Sequence, residues 1–231
     1  KIPNSVTSIG NSAFSGCSNL NIFIIPFNVS HIGYGAFKGC VGELIVKGKA
    51  ISKNYSSSSW LYDSNFTKIV IGDGIESIGD YMFAGCDFES LIIPNSITTI
   101  ESEAFNWAGM DSLTIPDNVT SIAINAFDDN WIGEFKGKFA TEDGAMLIVD
   151  NVVIAVAYDD HFTDIVIPEG VTSISKTAFH NNTTITSITI PESVSEIGQG
   201  AFQHCSSLKD VYIPDKVTEI NSLEEKLSTE I

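Results

Sequence analysis

Positive charge is scarce in this chain: 12 Lys and Arg stand against 29 Asp and Glu over 231 residues, a formal charge of -17. No Lys/Arg-rich run exists to neutralise a series of phosphates, so nucleic acid is not an expected partner. The same charge disfavours anionic membranes and draws cations or basic partners toward the surface. Long apolar runs are missing too. Hydrophobic residues make up 43% of the chain, yet no uninterrupted stretch approaches the roughly 20 residues that a spanning helix needs. The chain has no C-x-x-C pair, no G-x-x-x-x-G-K-[ST] phosphate loop, and no initiator Met or signal-like stretch at its opening KIPNSV. That opening matches the middle of a repeat, so the expectation is a domain truncated at both ends, its anchor absent.

What the chain does have is repetition. IPNSVTSIGNSAF at residues 2–14 returns nearly unchanged as IPNSITTIESEAF at residues 93–105. Ile2, Ile25, Ile93, Ile115, Ile167, Ile190 and Ile213, each followed by Pro, fall in one column, with Ile71-Gly72 as a variant, and most separations are 22 or 23 residues. Ahead of each Ile stand apolar residues at offsets 0, 3 and 5, as in Leu20/Phe23/Ile25, Phe66/Ile69/Ile71 and Leu208/Val211/Ile213. Offsets 3 and 5 have strand periodicity, with the residue between them facing out. A Pro or Gly turn follows, then V/I-x-x-I and usually A-F, as in Ile97/Ile100/Ala104/Phe105. Recurrent Pro and β-branched residues argue against amphipathic helices.

Two gaps in the column, of 46 and 52 residues, mark irregular units. The first hides a strand at Val41/Leu44/Val46, whose following segment, residues 47–65, reads as a degenerate repeat without the usual A-F spacing. The second holds a strand-like unit at Ile132/Phe135 and then EDGAMLIVDNVVIAVAY, two β-rich runs around Asp150-Asn151 that predict a hairpin-containing insert at 136–160. A unit of this length cannot hide its apolar face alone, so stacking must complete one core along the axis.

The pattern L-x-x-I-x-I-P-x-x-V-T-x-I-G-x-x-A-F-x-G-C, nearly complete in LNIFIIPFNVSHIGYGAFKGC at 20–40, recurs in LKDVYIPDKVTEI at 208–220. It resembles the BspA-like leucine-rich repeats, of the Treponema pallidum type, and EFKGKFATEDGAMLIVDNVVIAVA at 134–157 is similar to the hairpin-containing insert of the Bacteroides members. The expected fold is therefore an α/β-type repeat solenoid dominated by short parallel β-strands, with short 3₁₀ or irregular segments on the other side. It is a leucine-rich-repeat arc of about nine units with an inserted β-hairpin, forming a single domain over residues 1–231. The resemblance implies a bacterial surface protein, extracellular, for which adhesion to host or matrix proteins is the usual proposal.

Cys17, Cys40, Cys86 and Cys205 each lie three residues after a motif Phe. Equivalent positions in a solenoid form a ladder rather than a converging site, so structural thiols are expected, with a Cys17–Cys40 disulfide or a zinc site as alternatives. His31, His161, His180 and His204 read as loop or exposed residues. The densest carboxylates, Asp128-Asp129, Glu142-Asp143 and Asp159-Asp160, follow no EF-hand pattern. Six N-x-[ST] sequons, at Asn28, Asn54, Asn65, Asn118, Asn181 and Asn182, would matter only in a eukaryotic secretory setting. No metal or cofactor is expected.

One surface is built systematically: the outward column Ile24, Ile45, Val70, Ile92, Thr114, Val166, Thr189 and Tyr212. Two positions earlier runs a polar strip, Ile22, Glu43, Lys68, Ser90, Ser112, Asp164, Ser187 and Asp210. This is the candidate binding face for an extracellular protein or glycan, although β-branched residues also favour strands on an open face. Trp60, Trp107 and Trp131 are further candidate anchors, the last two falling in turns where capping the core is the other reading. Three functions stay open: a non-enzymatic, monomeric adhesion module, a spacer with no ligand of its own, and a hydrolase sited near the 136–160 insert.

Overall fold

A computed structural model describes residues 1–47, 59–218 and 220. They wind as a β-solenoid of about nine turns. One side carries the longer rungs: Ile22–Ile25, Val41–Val46, Asn65–Ile71 and Ser90–Ile92 in one parallel sheet, Leu113–Ile115 with Phe135–Gly137 in a second, and Asp164–Val166, Ser187–Thr189 and Asp210–Tyr212 in a third. The next bend carries two-residue rungs in which Ile9 faces Ile32, Ile78 faces Ile100 and Ile100 faces Ile122, with Ile174 facing Ile197 further on. These are the V/I-x-x-I positions of the repeat.

Both rung sets send apolar side chains inward, where the buried residues form two clusters rather than the one core the repeat implied: one runs from Ile9 to Phe135 and takes in Leu147, Ile154, Ala155 and Ala157, the other holds Met146, Val153 and the coils from Ile165 to Ala201, and Phe162 packs against both. Phe23, Ile25, Leu44, Val46, Ile69, Ile71, Leu113 and Ile115 are buried, which is the strand alternation read from offsets 3 and 5. Leu91 and Ile93 are only half-buried, and Val211 is exposed on the last described long rung. The motif Phe forms a second line of packing. Phe14 stacks on Phe37 at 5.4 Å, Phe83 on Phe105 at 5.4 Å and Phe105 on Phe127 at 4.9 Å. Such offset ring contacts add to the area they bury.

The degenerate repeat keeps this line by substitution. Trp60 stands 23 residues from both Phe37 and Phe83, is 1% exposed, and meets Phe37 edge-on at 5.7 Å. Ser59-Trp60 thus does the work of Ala-Phe, and Trp60 is core rather than an anchor for a ligand. The rest of the 47–65 expectation, at residues 48–58, lies outside the described residues, as do the Asn54 sequon and the tail from residue 221.

Met146–Val149 and Val152–Val156 pair antiparallel across Asp150 and Asn151, both left-handed at φ 50 and 65, the backbone a two-residue hairpin turn demands. The second of these strands also joins the stack, Val152-Val153 lying parallel to Ser173-Ile174. Across this stretch the Asp128 carboxylate meets the Lys176 ammonium at 2.8 Å and Asp129 meets the His180 ring, tying turns roughly 50 residues apart in sequence.

The α component of the expected α/β class is absent: the described residues contain no helix. The reason is visible in the A-F segments. Residues two before and two after the Phe are left-handed in most coils, as with Ser12 and Gly16 around Phe14, Gly35 and Gly39 around Phe37, and Thr177 and Asn181 around Phe179, while around Phe127 only Asp129 is. A helix of L-residues cannot carry left-handed residues four apart. Instead N–H groups alternate. Those of Ala13, Ser15 and Cys17 close turns onto residues three earlier, while those of Ser12, Phe14 and Gly16 donate to the carbonyls of Tyr34, Ala36 and Lys38 in the next coil. The scheme recurs at Tyr81, Phe83 and Gly85 and at Thr177, Phe179 and Asn181.

Thr177 suits its place poorly. It is β-branched at φ 54 where the next coil has Gly200 at φ 64, and its buried Oγ1 has no hydrogen-bond partner among the described residues. Left-handed strain of about 1–3 kcal/mol outweighs the added flexibility of glycine in the unfolded chain, about 0.4–1 kcal/mol. Thr177→Gly is expected to stabilise the fold by about 1 kcal/mol and Gly200→Thr to destabilise it by a similar amount, read from denaturant midpoints; a loss of stability in Thr177→Gly would contradict the account.

Candidate functional site

The parallel registers align the outward column rung by rung. Ile24 lies beside Ile45, Ile45 beside Val70 and Val70 beside Ile92. Further along, Val166 is next to Thr189 and Thr189 next to Tyr212. The polar strip is aligned in the same way, Ile22 with Glu43, Glu43 with Lys68, and Asp164 with Ser187 and Asp210. Thr114 pairs with Lys136, a member of the column that the spacing did not reveal because its unit lacks the Ile-Pro mark. The apolar run therefore ends at Ile92, and the Thr114–Lys136 step separates it from Val166.

Neighbours in register shade one another. Ile24, Ile45 and Val70 are half-buried, whereas Ile92 at 48%, Val166 at 66% and Tyr212 at 57% stand well out. Ile22 and Phe27 add exposed apolar surface at the N-terminal end. Chemically this face offers area and shape, with polar contacts that include Tyr212 Oη donating to Glu192 at 3.0 Å and Ser187 Oγ donating to Asp164 at 2.5 Å. Hydrogen bonds from Ser187 and Thr163 hold the exposed Asp164 carboxyl below its usual range.

The cysteines do not gather. Cys40 Sγ donates to the Phe14 carbonyl at 3.1 Å and Cys205 Sγ to the Phe179 carbonyl at 3.0 Å, while Cys86 lies under Ser59 and Leu61. All four, Cys17 included, are free thiols. Burial pushes the Cys86 thiol up to about 12 and Cys205 up to about 11, and raises Cys40. Among the described residues no three His, Cys, Asp or Glu side chains sit together as metal ligands. His180 and His204 face each other at 5.5 Å, and the exposed His161 ring bonds Asp159, whose carboxyl its backbone N–H and ring hold low. Asp143 accepts from Thr141 and from the Ala145 N–H, inside its own loop. No helix among the described residues is long and apolar enough to cross a membrane.

Trp107 and Trp131 are not core caps. They stand 47% and 37% exposed on the flank where the long rungs begin, beside Tyr158, along an open groove of about 890 Å³.

The BspA type Leucine rich repeat region matches in six copies, over residues 1–58, 53–136 and 155–224. The chain belongs to the BspA-type leucine-rich repeat family. Among solved structures it is similar to a leucine-rich cell surface protein from Faecalibacterium prausnitzii, with 27% identity and a TM-score of 0.69, covering 96% of this chain and 62% of that one. The pneumococcal vaccine antigen PcpA shares the fold at 17% identity and a TM-score of 0.69, covering 92% of this chain and 57% of the antigen. A leucine-rich repeat protein of Eubacterium ventriosum shares it at 19% identity and a TM-score of 0.51, covering 88% and 56%. The chain thus spans about three fifths of each. No curated protein matches it in sequence.

Cys86 carries the prediction of this geometry. The ordinary thiol value is 9.0 and the folded value about 12, so above about pH 9 the unfolded chain releases this proton first and stability falls as pH rises. The loss of melting temperature between about pH 9 and 11 is expected to be smaller in Cys86→Ala than in the parent chain. Equal losses in the two proteins would remove Cys86 as the source.

Proposed function

We propose that this chain is a non-enzymatic, monomeric binding module displayed outside a bacterial cell, which takes an extracellular protein or glycan on its strand face. In this reading residues 1–231 are one repeat domain, with 47–65 a degenerate repeat and 136–160 an insert. The observation that carries the proposal is the registered run Ile24, Ile45, Val70 and Ile92, an outward apolar stripe whose first three members are half-buried and whose last stands 48% exposed. Contiguous apolar surface of this kind marks an interaction site. Stacked short repeats generate area, while catalysis needs a water-excluding pocket. The cell-surface protein of Faecalibacterium prausnitzii supports the setting.

Binding to an array of extracellular-matrix proteins, mucins and glycans tests this, with Ile24, Ile45 and Ile92 together changed to Asp as the comparison. The expected result is a saturable signal that drops at least tenfold in the variant while its far-UV spectrum and melting temperature persist. The same signal from both proteins would move the site elsewhere, and no signal from either would favour a spacer.

A further inference from the structure

We propose that the groove on the flank of the solenoid, along Trp107, Trp131 and Tyr158, receives a cationic side chain, Lys or Arg, of a protein partner. This site is separate from the outward strand column and does not depend on it.

Three rings form its apolar wall. Trp107 and Trp131 lie 6.4 Å apart between centroids and 35° from parallel, and Trp131 and Tyr158 lie 4.8 Å apart at 56°. The row comes from a short parallel ladder in which Asp87 pairs with Gly109 and Gly109 with Trp131. Gly109 keeps the row open. A Cβ there would stand 2.4 Å from Asp87 Oδ1, so only glycine lets that carboxylate lie against the ladder.

The backbone at Trp107 points the same way. Its column, two residues after the motif Phe, is filled elsewhere by Gly16, Gly39, Gly85, Asp129, Asn181 and His204, all left-handed. Those residue types tolerate the conformation, and a bulky Trp at φ 56 does not do so without strain. Burial does not offset the strain, because the ring is 47% exposed. Strained and exposed positions of this kind cluster at ligand clamps.

Charge selects the ligand. Asp87, Glu89, Asp111 and Asp159 line the groove and its lining residues include no Lys or Arg; Asp159 bonds the His161 ring, while the other three carboxylates are in no ion pair among the described residues. The chain as a whole adds to this field with a formal charge of -17. Aromatic faces and unpaired carboxylates together match a Lys or Arg side chain, whose methylene stem lies along the rings and whose charge meets both the ring quadrupole and the acids. A neutral sugar would stack on the same rings but would have no use for the charge.

Titration calorimetry of the purified chain with an octapeptide of alternating Gly and Lys tests the proposal, against the Gly-Glu counterpart and a neutral β-linked hexasaccharide. Saturable binding of the Lys peptide alone is expected. Trp107→Gly leaves the charge unchanged and relieves the left-handed strain, so it is expected to weaken binding at least tenfold with the melting temperature kept or raised. Glu89→Gln with Asp111→Asn is expected to weaken it similarly. Asp117→Asn with Glu142→Gln, the same change of charge elsewhere, is expected to stay within twofold, as is Ile24→Ser with Ile92→Ser on the strand face. Undiminished binding by Trp107→Gly, or equal losses from the two carboxylate pairs, would reduce the effect to diffuse attraction and overturn the site. Trp107-dependent binding of the hexasaccharide in place of the peptide would overturn the choice of ligand.

Discussion

Each coil of this chain is too short to close its own core, and the structure depends on how one coil hands its backbone to the next. Along the rungs the transfer is ordinary parallel pairing. In the A-F segments it is less ordinary, because alternate N–H groups close local turns while the others cross to the neighbouring coil. These crossing bonds go with left-handed residues on both sides of the Phe, as at Phe14, Phe37, Phe83, Phe105 and Phe179. That arrangement, more than apolar periodicity, explains why Gly, Asn, Asp and Ser recur around A-F and why the described residues contain no helix on the far side.

Much of this was legible in sequence. The Ile column, the offsets before it and the V/I-x-x-I positions reappear as aligned rungs because a strand period of two and a coil of fixed length leave little freedom in register. That amphipathic helices do not fit was legible in the recurrent Pro and β-branched residues; the left-handed conformation of the A-F segments was not, since its residues include Tyr81, Glu103 and Thr177, which propensity alone places elsewhere. Trp60 was misassigned for a similar reason. Without the A-F spacing around it nothing marked it as the ring that bridges Phe37 to the next coil, although its spacing of 23 residues from Phe37 carried that information.

The strand face was readable as a column of residues, while its exposure was not. Register decides which neighbours shade Ile24, Ile45 and Val70, and which leave Ile92 and Val166 open. Lys136 escaped notice because its rung belongs to the irregular unit. Likewise the ties of Asp128 to Lys176 and Asp129 to His180 join coils whose separation depends on the path of residues 137–157, which spacing does not predict.

A repeat spreads whatever chemistry it encodes evenly along an axis, so a discrete site must come from places where the repeat is broken. The strand face repeats one outward column along the axis, interrupted at Thr114 and Lys136. The flank is different. There a Trp stands where other coils place a left-handed Gly, Asp, Asn or His, a glycine opens the rung beside it, and a second Trp fills the next rung, all within Trp107, Gly109 and Trp131. Neither Trp is needed to complete the core, which Phe105 and Phe127 already fill at 4.9 Å. Strain retained without compensation from packing is hard to explain by folding alone. Thr177 shows that such strain alone marks no site; at Trp107 it coincides with exposed rings and unpaired carboxylates along one groove, and the proposed site rests on that coincidence.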